Sequence, residues 1–379
     1  MTSKILVVAG EPSGDLVASD LVRNLKNLDP ELEFFGIGGH LSRRAGVEIS
    51  FDIERLALVG LAEVLKSIFT IGRVYKNLLK IIDLKKPDLA ILVDYPGFNL
   101  RLAGELKARS IPVVYYVSPQ VWAWGRERIK IIKECVRKII VFFKFEEELY
   151  KTYGVDVEFV GHPLLDTVKT GRPRKDEILK KYGMTEGRLT VALLPGSRAM
   201  EIKTLLPIMI NASKIIQKTL KEAQFVIAKH KDLPPDLYEK PVKDAGLNIR
   251  FSDGDTHNIL SASDFAIVAS GTATLETAII GTPFIIVYKG SPLTYIAYLI
   301  VRRIPFLGIV NIILRKEAVP ELIQSNATPE KIARKAIDII TDERKKNAMR
   351  DGFDSIRASL GSPGASIRAA KAILPLLRH

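Results

Sequence analysis

The chain has 379 residues, 47% hydrophobic and 26% charged, enough for about two domains with full apolar cores, which excludes a disordered or coiled-coil protein. Lysine and arginine exceed aspartate and glutamate, 56 against 43, and the resulting charge of +13 invites anionic partners: a nucleic acid, a phosphorylated ligand or an acidic membrane surface. One cysteine, Cys135, excludes an internal disulfide or thiolate metal cluster; with no secretory pattern and no apolar run of roughly 18 residues, the expectation is a cytoplasmic protein that at most lies on a membrane face.

Lys4 to Val8 reads as a buried strand. Ala9-Gly10-Glu11-Pro12-Ser13-Gly14-Asp15 then opens a helix to about Leu28, with Ser13 or Asp15 as its cap. The loop lacks the G-x-G-x-x-G spacing of a dinucleotide site. Phe34 to Gly39 is a second strand, ending in small residues that allow close approach by a backbone or a ligand. Leu56 to Ile71 is apolar on more than one helical face and is followed by Arg73, Lys76, Lys80, Lys85 and Lys86. It reads either as a buried helix or as an interfacial one, docked on an anionic bilayer through Val64, Leu65, Ile68 and Ile71. Leu89 to Val93 is a third strand and delivers Asp94 into the loop Asp94-Tyr95-Pro96-Gly97-Phe98-Asn99. Open parallel sheets bind ligands at the carboxyl ends of their strands, where Glu11, Gly38 and Asp94 would stand together.

Val113 to Val117 is a fourth strand. The loop after it, Ser118-Pro119-Gln120-Val121-Trp122-Ala123-Trp124, holds both tryptophans, which can stack on a sugar, line an acyl chain or pack across the loop base. Arg126, Arg128 and Lys130 read as a solvated helix face. Ile139 to Phe143 and Val157 to Val160 complete the sheet before Gly161-His162-Pro163, whose histidine suits a structural hydrogen bond as well as a ligand contact. No second histidine or acid stands at metal spacing, and neither a metal nor another cofactor is expected.

Thr167 to Glu177 reads as a linker between an N-terminal domain, residues 1–166, and a C-terminal domain, residues 167–379. The run Leu189 to Leu194 breaks into Pro195-Gly196-Ser197-Arg198 and a helix that carries Glu201 and ends near Thr219. Free backbone N–H groups at such a turn, beside an arginine, suit a phosphate, although an ordinary strand-to-helix turn has the same sequence. Strands follow at Gln224 to Ala228, Asn248 to Phe251 and Phe265 to Ala269, with a helix from Asp236. The last strand ends in Ser270-Gly271-Thr272-Ala273-Thr274-Leu275-Glu276, a second small-residue loop entering a helix, where Glu276 can accept both hydroxyls of a ribose. Phe284 to Tyr288 finishes the sheet. The chain from Pro329 is helical, and its last amphipathic piece, Ala365 to Leu377, is expected to pack on the first domain or on a partner subunit.

The loops at 9–15, 94–99, 116–124, 161–163, 194–198 and 270–276 together resemble, in order and spacing, the lipid-A-disaccharide synthase family over about Ile5 to Gln324. The resemblance implies an α/β protein of two Rossmann-like domains facing across a cleft, the B-type glycosyltransferase architecture. It implies inverting transfer of 2,3-diacylglucosamine from its UDP derivative to the 6-hydroxyl of 2,3-diacylglucosamine 1-phosphate, leaving UDP. The donor set it implies is Gly196, Ser197, Arg198, Gly271, Thr272, Ala273, Thr274, Glu276 and Asn311. Asp94 becomes the general base, with Glu11 as the alternative, and Ser13, Gly14, Asn99, Trp122, Trp124 and His162 become acceptor or cleft contacts. The partners implied are the two acylated sugars and the anionic cytoplasmic face of the inner membrane, with no nucleic acid; a homodimer is left open. A UDP-sugar epimerase of the same fold is the rival enzyme, against which Leu56 to Ile71 and the paired tryptophans speak. A basic nucleic-acid binder is the non-enzyme rival, but its basic residues are spread along the chain without a recognised motif.

Overall fold

The computed structural model describes residues 3–53, 64–123, 125–168, 173–243, 245–291 and 305–377, without the side chains of 64–69. The chain divides into two units, Met1–Asp166 with Leu360–His379, and Thr167–Ser359. The first unit holds β1 Lys4–Ala9, β2 Glu33–Gly38, β3 Val47–Asp52, β4 Leu89–Val93, β5 Val113–Tyr116, β6 Lys138–Val141 and β7 Val157–Phe159, in the sheet order β3-β2-β1-β4-β5-β6-β7. The second holds β8 Thr190–Leu194, β9 Gln224–Lys229, β10 Ile249–Asp253, β11 Phe265–Ala269, β12 Phe284–Tyr288 and β13 Glu321–Ile323, in the order β10-β9-β8-β11-β12-β13.

Every strand pair is parallel, as the unbroken apolar runs of β4, β8 and β11 require when helices cover both faces. In each unit the first strand lies beside the fourth, β1 beside β4 and β8 beside β11. The winding reverses there, and the loops leaving the two strands part to opposite faces, which opens a crevice. The strands not expected from sequence, β3 and β13, are both sheet edges. β3 reads Val-Glu-Ile-Ser-Phe-Asp, a half-polar alternation, and β13 has only three residues.

Two expectations about the helices change, and the last helix meets one of the two alternatives expected for it. Lys175 to Glu177, read as linker, open a helix, Lys175–Lys181, whose first turn carries Asp176 and Glu177 against its positive end. The last helix, Ala365–Ile373, counted by sequence in residues 167–379, belongs to the first unit. There Ala369, Ala370 and Ile373 are buried in one cluster with Leu21, Val22 and Leu25 of the helix Pro12–Leu28. The helix Val64–Lys85 buries Tyr75, Leu78 and Ile82 in the first unit's core, and Ile71 is half-buried against the same cluster instead of standing on a free apolar face. The side chains of Val64, Leu65 and Ile68 lie outside the described residues. Arg73, Lys76 and Lys80, at positions that share one helical face, are exposed. Among the described residues no helix is long and apolar enough to cross a membrane.

Candidate functional site

In the first unit, register brings the chemistry together. Ala9 pairs with Val93 at the ends of β1 and β4, so Gly10-Glu11 and Asp94-Tyr95 emerge side by side. The Tyr95 ring lies over Gly10, where a Cβ would come within 2.4 Å of it, and this leaves Gly as the residue that fits. The half-buried Asp94 carboxyl is held above the usual carboxylate range, first by burial and then by the charge of Glu11, against a hydrogen bond from the Tyr95 backbone. A carboxyl shifted in that direction is a stronger base than a solvated one. Glu11 and Ser13 are exposed at the start of the helix Pro12–Leu28, while Gly14 is buried beside Ala9 and Val93.

Asp15, expected as a helix cap, and several residues expected to touch substrate are committed to the fold. Asp15 does not cap its own helix. Its carboxylate turns to the next one, His40–Arg44, and accepts from the N–H groups of Gly39 at 2.7 Å and of Leu41 and Ser42 at 3.1 Å, which accounts for the small residues at the end of β2. Asn99 is fully buried, and its amide donates to the carbonyls of Val93 at 3.1 Å and Asp94 at 2.8 Å. His162 accepts at Nδ1 from the Leu164 N–H, packs against the rings of Phe142 and Phe143, and is pushed down to about 4 by burial, so it stands neutral as a brace. Trp122 donates from Nε1 to Glu146 at 3.1 Å and packs edge-on against Phe145. Trp124 lies outside the described residues.

In the second unit Leu194 pairs with Val268, and the loops after β8 and β11 leave side by side. They line a cavity of about 680 Å³ together with the carboxyl ends of β9 and β10. The Pro195-Gly196-Ser197-Arg198 turn is not an open nest. Glu201 Oε2 accepts from the Ser197 N–H at 3.0 Å and the Arg198 N–H at 3.3 Å, and Oε1 accepts from the Arg198 guanidinium at 3.1 Å. Gly196 has φ +123°, and a Cβ there would strike Glu201. The Arg198 side chain is 80% exposed, so its pairing with Glu201 is a weak surface contact that an anion can displace. The β11 loop is freer: Gly271 precedes the helix Thr272–Ile280 without a capping side chain, leaving first-turn N–H groups toward the cavity wall formed by Gly271, Thr272 and Ala273.

Thr274, by contrast, is buried and bonds back to the Gly271 carbonyl. Asn311 is buried as well. Its amide donates to Val319 O and Glu321 Oε1, and its Oδ1 accepts from the Ala318 and Val319 N–H groups, which leaves nothing for a nucleotide. Glu276 lines the cavity with one carboxylate oxygen 3.4 Å from His257 Nε2. Sequence reasoning missed His257, Lys229 and Asn258. The rule that ligands gather at strand carboxyl ends, applied to β9 and β10 as it was to β8 and β11, points to all three. Among the described residues no group of three or more His, Cys, Asp or Glu side chains could hold a metal ion.

The family model for lipid-A-disaccharide synthetase matches residues 5–372. The chain belongs to the lipid-A-disaccharide synthetase family. A lipid-A-disaccharide synthase from Syntrophus aciditrophicus is 43% identical over 380 residues, covering 100% of this chain and 99% of its own. Family membership makes the chain a glycosyltransferase and disfavours the epimerase alternative. Fold alone could not separate the two. A UDP-GlcNAc 2-epimerase from Neisseria meningitidis bound to UDP-GlcNAc aligns with TM-score 0.62 at 12% identity over 99% of this chain and 100% of its own. The calicheamicin glycosyltransferase CalG4 aligns with TM-score 0.61 at 14% identity over 100% and 99%.

Proposed function

We propose that the chain transfers 2,3-diacylglucosamine from its UDP derivative to the 6-hydroxyl of 2,3-diacylglucosamine 1-phosphate. The acceptor hydroxyl gives its proton to Asp94, its oxygen forms a bond to the anomeric carbon from the face opposite the diphosphate, and the bond to UDP breaks with inversion. The second unit's cavity is the UDP site: Glu276 takes the ribose hydroxyls, the N-terminal end of Thr272–Ile280 takes the diphosphate, and Arg198 swings from Glu201 to the departing charge. The observation that carries the reading is this one wall, where a carboxylate and an uncapped helix N-terminus stand about one helical turn apart at the winding reversal, as a nucleoside diphosphate requires.

Both substrates are acylated, and we infer that the chain meets them at the anionic cytoplasmic face of the inner membrane. The exposed Arg73, Lys76 and Lys80 and the 82% exposed Leu84 on Val64–Lys85 support that surface.

The test is release of UDP from the two acylated sugars in anionic vesicles, with Asp94→Asn as the deciding variant. It keeps the shape and loses the proton acceptor, so turnover should fall about 10²- to 10⁴-fold while UDP affinity is unchanged. A loss under tenfold, with an unchanged melting temperature, would move the base role to Glu11.

A further inference from the structure

The loop that carries Asp94 is held in a backbone conformation that one of its two residues opposes. Asp94 and Tyr95 have φ of +48° and +46°; an aspartate tolerates the left-handed region as a single residue, but a tyrosine beside it in the same region is uncommon. Such a pair persists only where its surroundings over-determine it.

Here the restraints act on both peptide groups of Asp94. Its N–H donates to Tyr116 O at 3.1 Å, which extends the ladder between β4 and β5 by one residue. Its carbonyl accepts two side-chain bonds, from Asn99 Nδ2 at 2.8 Å and from the Tyr115 hydroxyl at 2.6 Å. Both donors are fully buried, one on the first turn of the helix Pro96–Ala108 and the other on β5. Asn99 Oδ1 meets no partner although it is buried, so the amide is retained for what it donates. With both peptide planes fixed, the direction of the Cα–Cβ bond of Asp94 is fixed too.

We propose that Asn99 and Tyr115 are positioning residues for the transfer reaction: gripping one carbonyl from two elements, they hold the Asp94 carboxyl beside Glu11 in its half-buried place. The proposal rests on Asp94 being the general base. The titratable groups facing Asp94 are Glu11 from the loop before Pro12–Leu28, Tyr95 on its own loop and Tyr115 on β5. Burial and the Glu11 charge raise the carboxyl. A loosened loop lets it turn to water, and its titration then falls toward that of an ordinary carboxylate.

The experiment compares the full-length Tyr115→Phe, Asn99→Ser and Asp94→Asn variants with the parent, measuring UDP release from the two acylated sugars across pH and UDP affinity by calorimetry. Tyr115→Phe removes one oxygen from a buried ring and should lower kcat about five- to twentyfold, with KM and UDP affinity within twofold. Its acid limb of kcat/KM should move to lower pH by about half a unit or more, a change that mere loss of stability does not produce. Asn99→Ser should do the same more strongly; if it fails to fold, Tyr115→Phe decides alone. A Tyr115→Phe enzyme with parental kcat and acid limb overturns the positioning role, and the base assignment then still stands if Asp94→Asn has lost turnover. An active Asp94→Asn enzyme overturns the base assignment, and the positioning role with it.

Discussion

Glu146 is the most displaced acid whose consequences lie outside the reaction. It is buried, and burial pushes its carboxyl up to about 7 against the opposing bonds from Trp122, the Phe143 and Phe142 backbone and Ser118. Between the ordinary value of 4.5 and about 7 the folded chain holds a proton here that the unfolded chain has released. Stability therefore falls as pH rises through that window, by about 3 kcal/mol at most. His162 runs the other way. It is neutral in the fold down to about 4, whereas the unfolded chain takes up its proton near 6.5, so stability rises with pH between those values. Glu146→Gln keeps an acceptor for Trp122 and has no charge to bury. Its melting temperature relative to the parent should climb from pH 5 to pH 8, and a constant difference across that range would mean that Glu146 is already solvated.

The strand-to-helix turns decide how far the sequence could be read. The central strands, their order of appearance and the loops at their carboxyl ends were legible, because buried parallel strands are short unbroken apolar runs and small-residue turns punctuate them. Edge strands β3 and β13 were not, since one face or one end of each is polar. The site residues divided the same way. The positions of Asp94 at a strand end and of Gly271 and Glu276 in a loop entering a helix could be read from the pattern, whereas nothing in the spacing says that the candidates Asn99, Thr274 and Asn311 turn inward to serve backbone groups, because those partners are distant in sequence or come from a carbonyl.

The Arg198 turn is the instructive case, since its sequence is that of a phosphate nest and its N–H groups already bind Glu201. Glu201→Ala should cost about 0.5 to 2 kcal/mol of stability, the worth of a lost helix cap, read as a drop of a few degrees in melting temperature. Arg198→Ala should instead leave the melting temperature nearly unchanged, because the pair is exposed, and weaken UDP binding by about 1.5 to 3 kcal/mol. Equal UDP affinity in Arg198→Ala and the parent would remove Arg198 from the donor set.

The chain leaves its first unit after Asp166 and returns to it at Leu360. The two crossings are tied together within that unit: the His162 N–H donates to Leu360 O at 3.0 Å, Asp166 Oδ1 accepts from the Gly364 N–H at 2.5 Å, and Arg368 Nε donates to Val160 O at 2.8 Å. The returning helix also supplies Ala369, Ala370 and Ile373 to the core that Leu21, Val22 and Leu25 share. Burial of an isoleucine alone contributes about 1.5 to 3 kcal/mol, and removing the helix would also bare the side chains beneath it, a large share of the roughly 5 to 15 kcal/mol that holds a domain folded. The cavity assigned to UDP, by contrast, is lined wholly by Thr167–Ser359. A chain ending at Ser359 should therefore lose the cooperative unfolding of the first unit and all turnover, yet bind UDP within about threefold of the parent affinity, since the residues proposed to hold UDP are retained. The fragment 167–359 expressed alone should bind equally well. Calorimetric titration of both with UDP checks this, and a truncated chain that keeps turnover would show that the last helix is dispensable to the unit it completes.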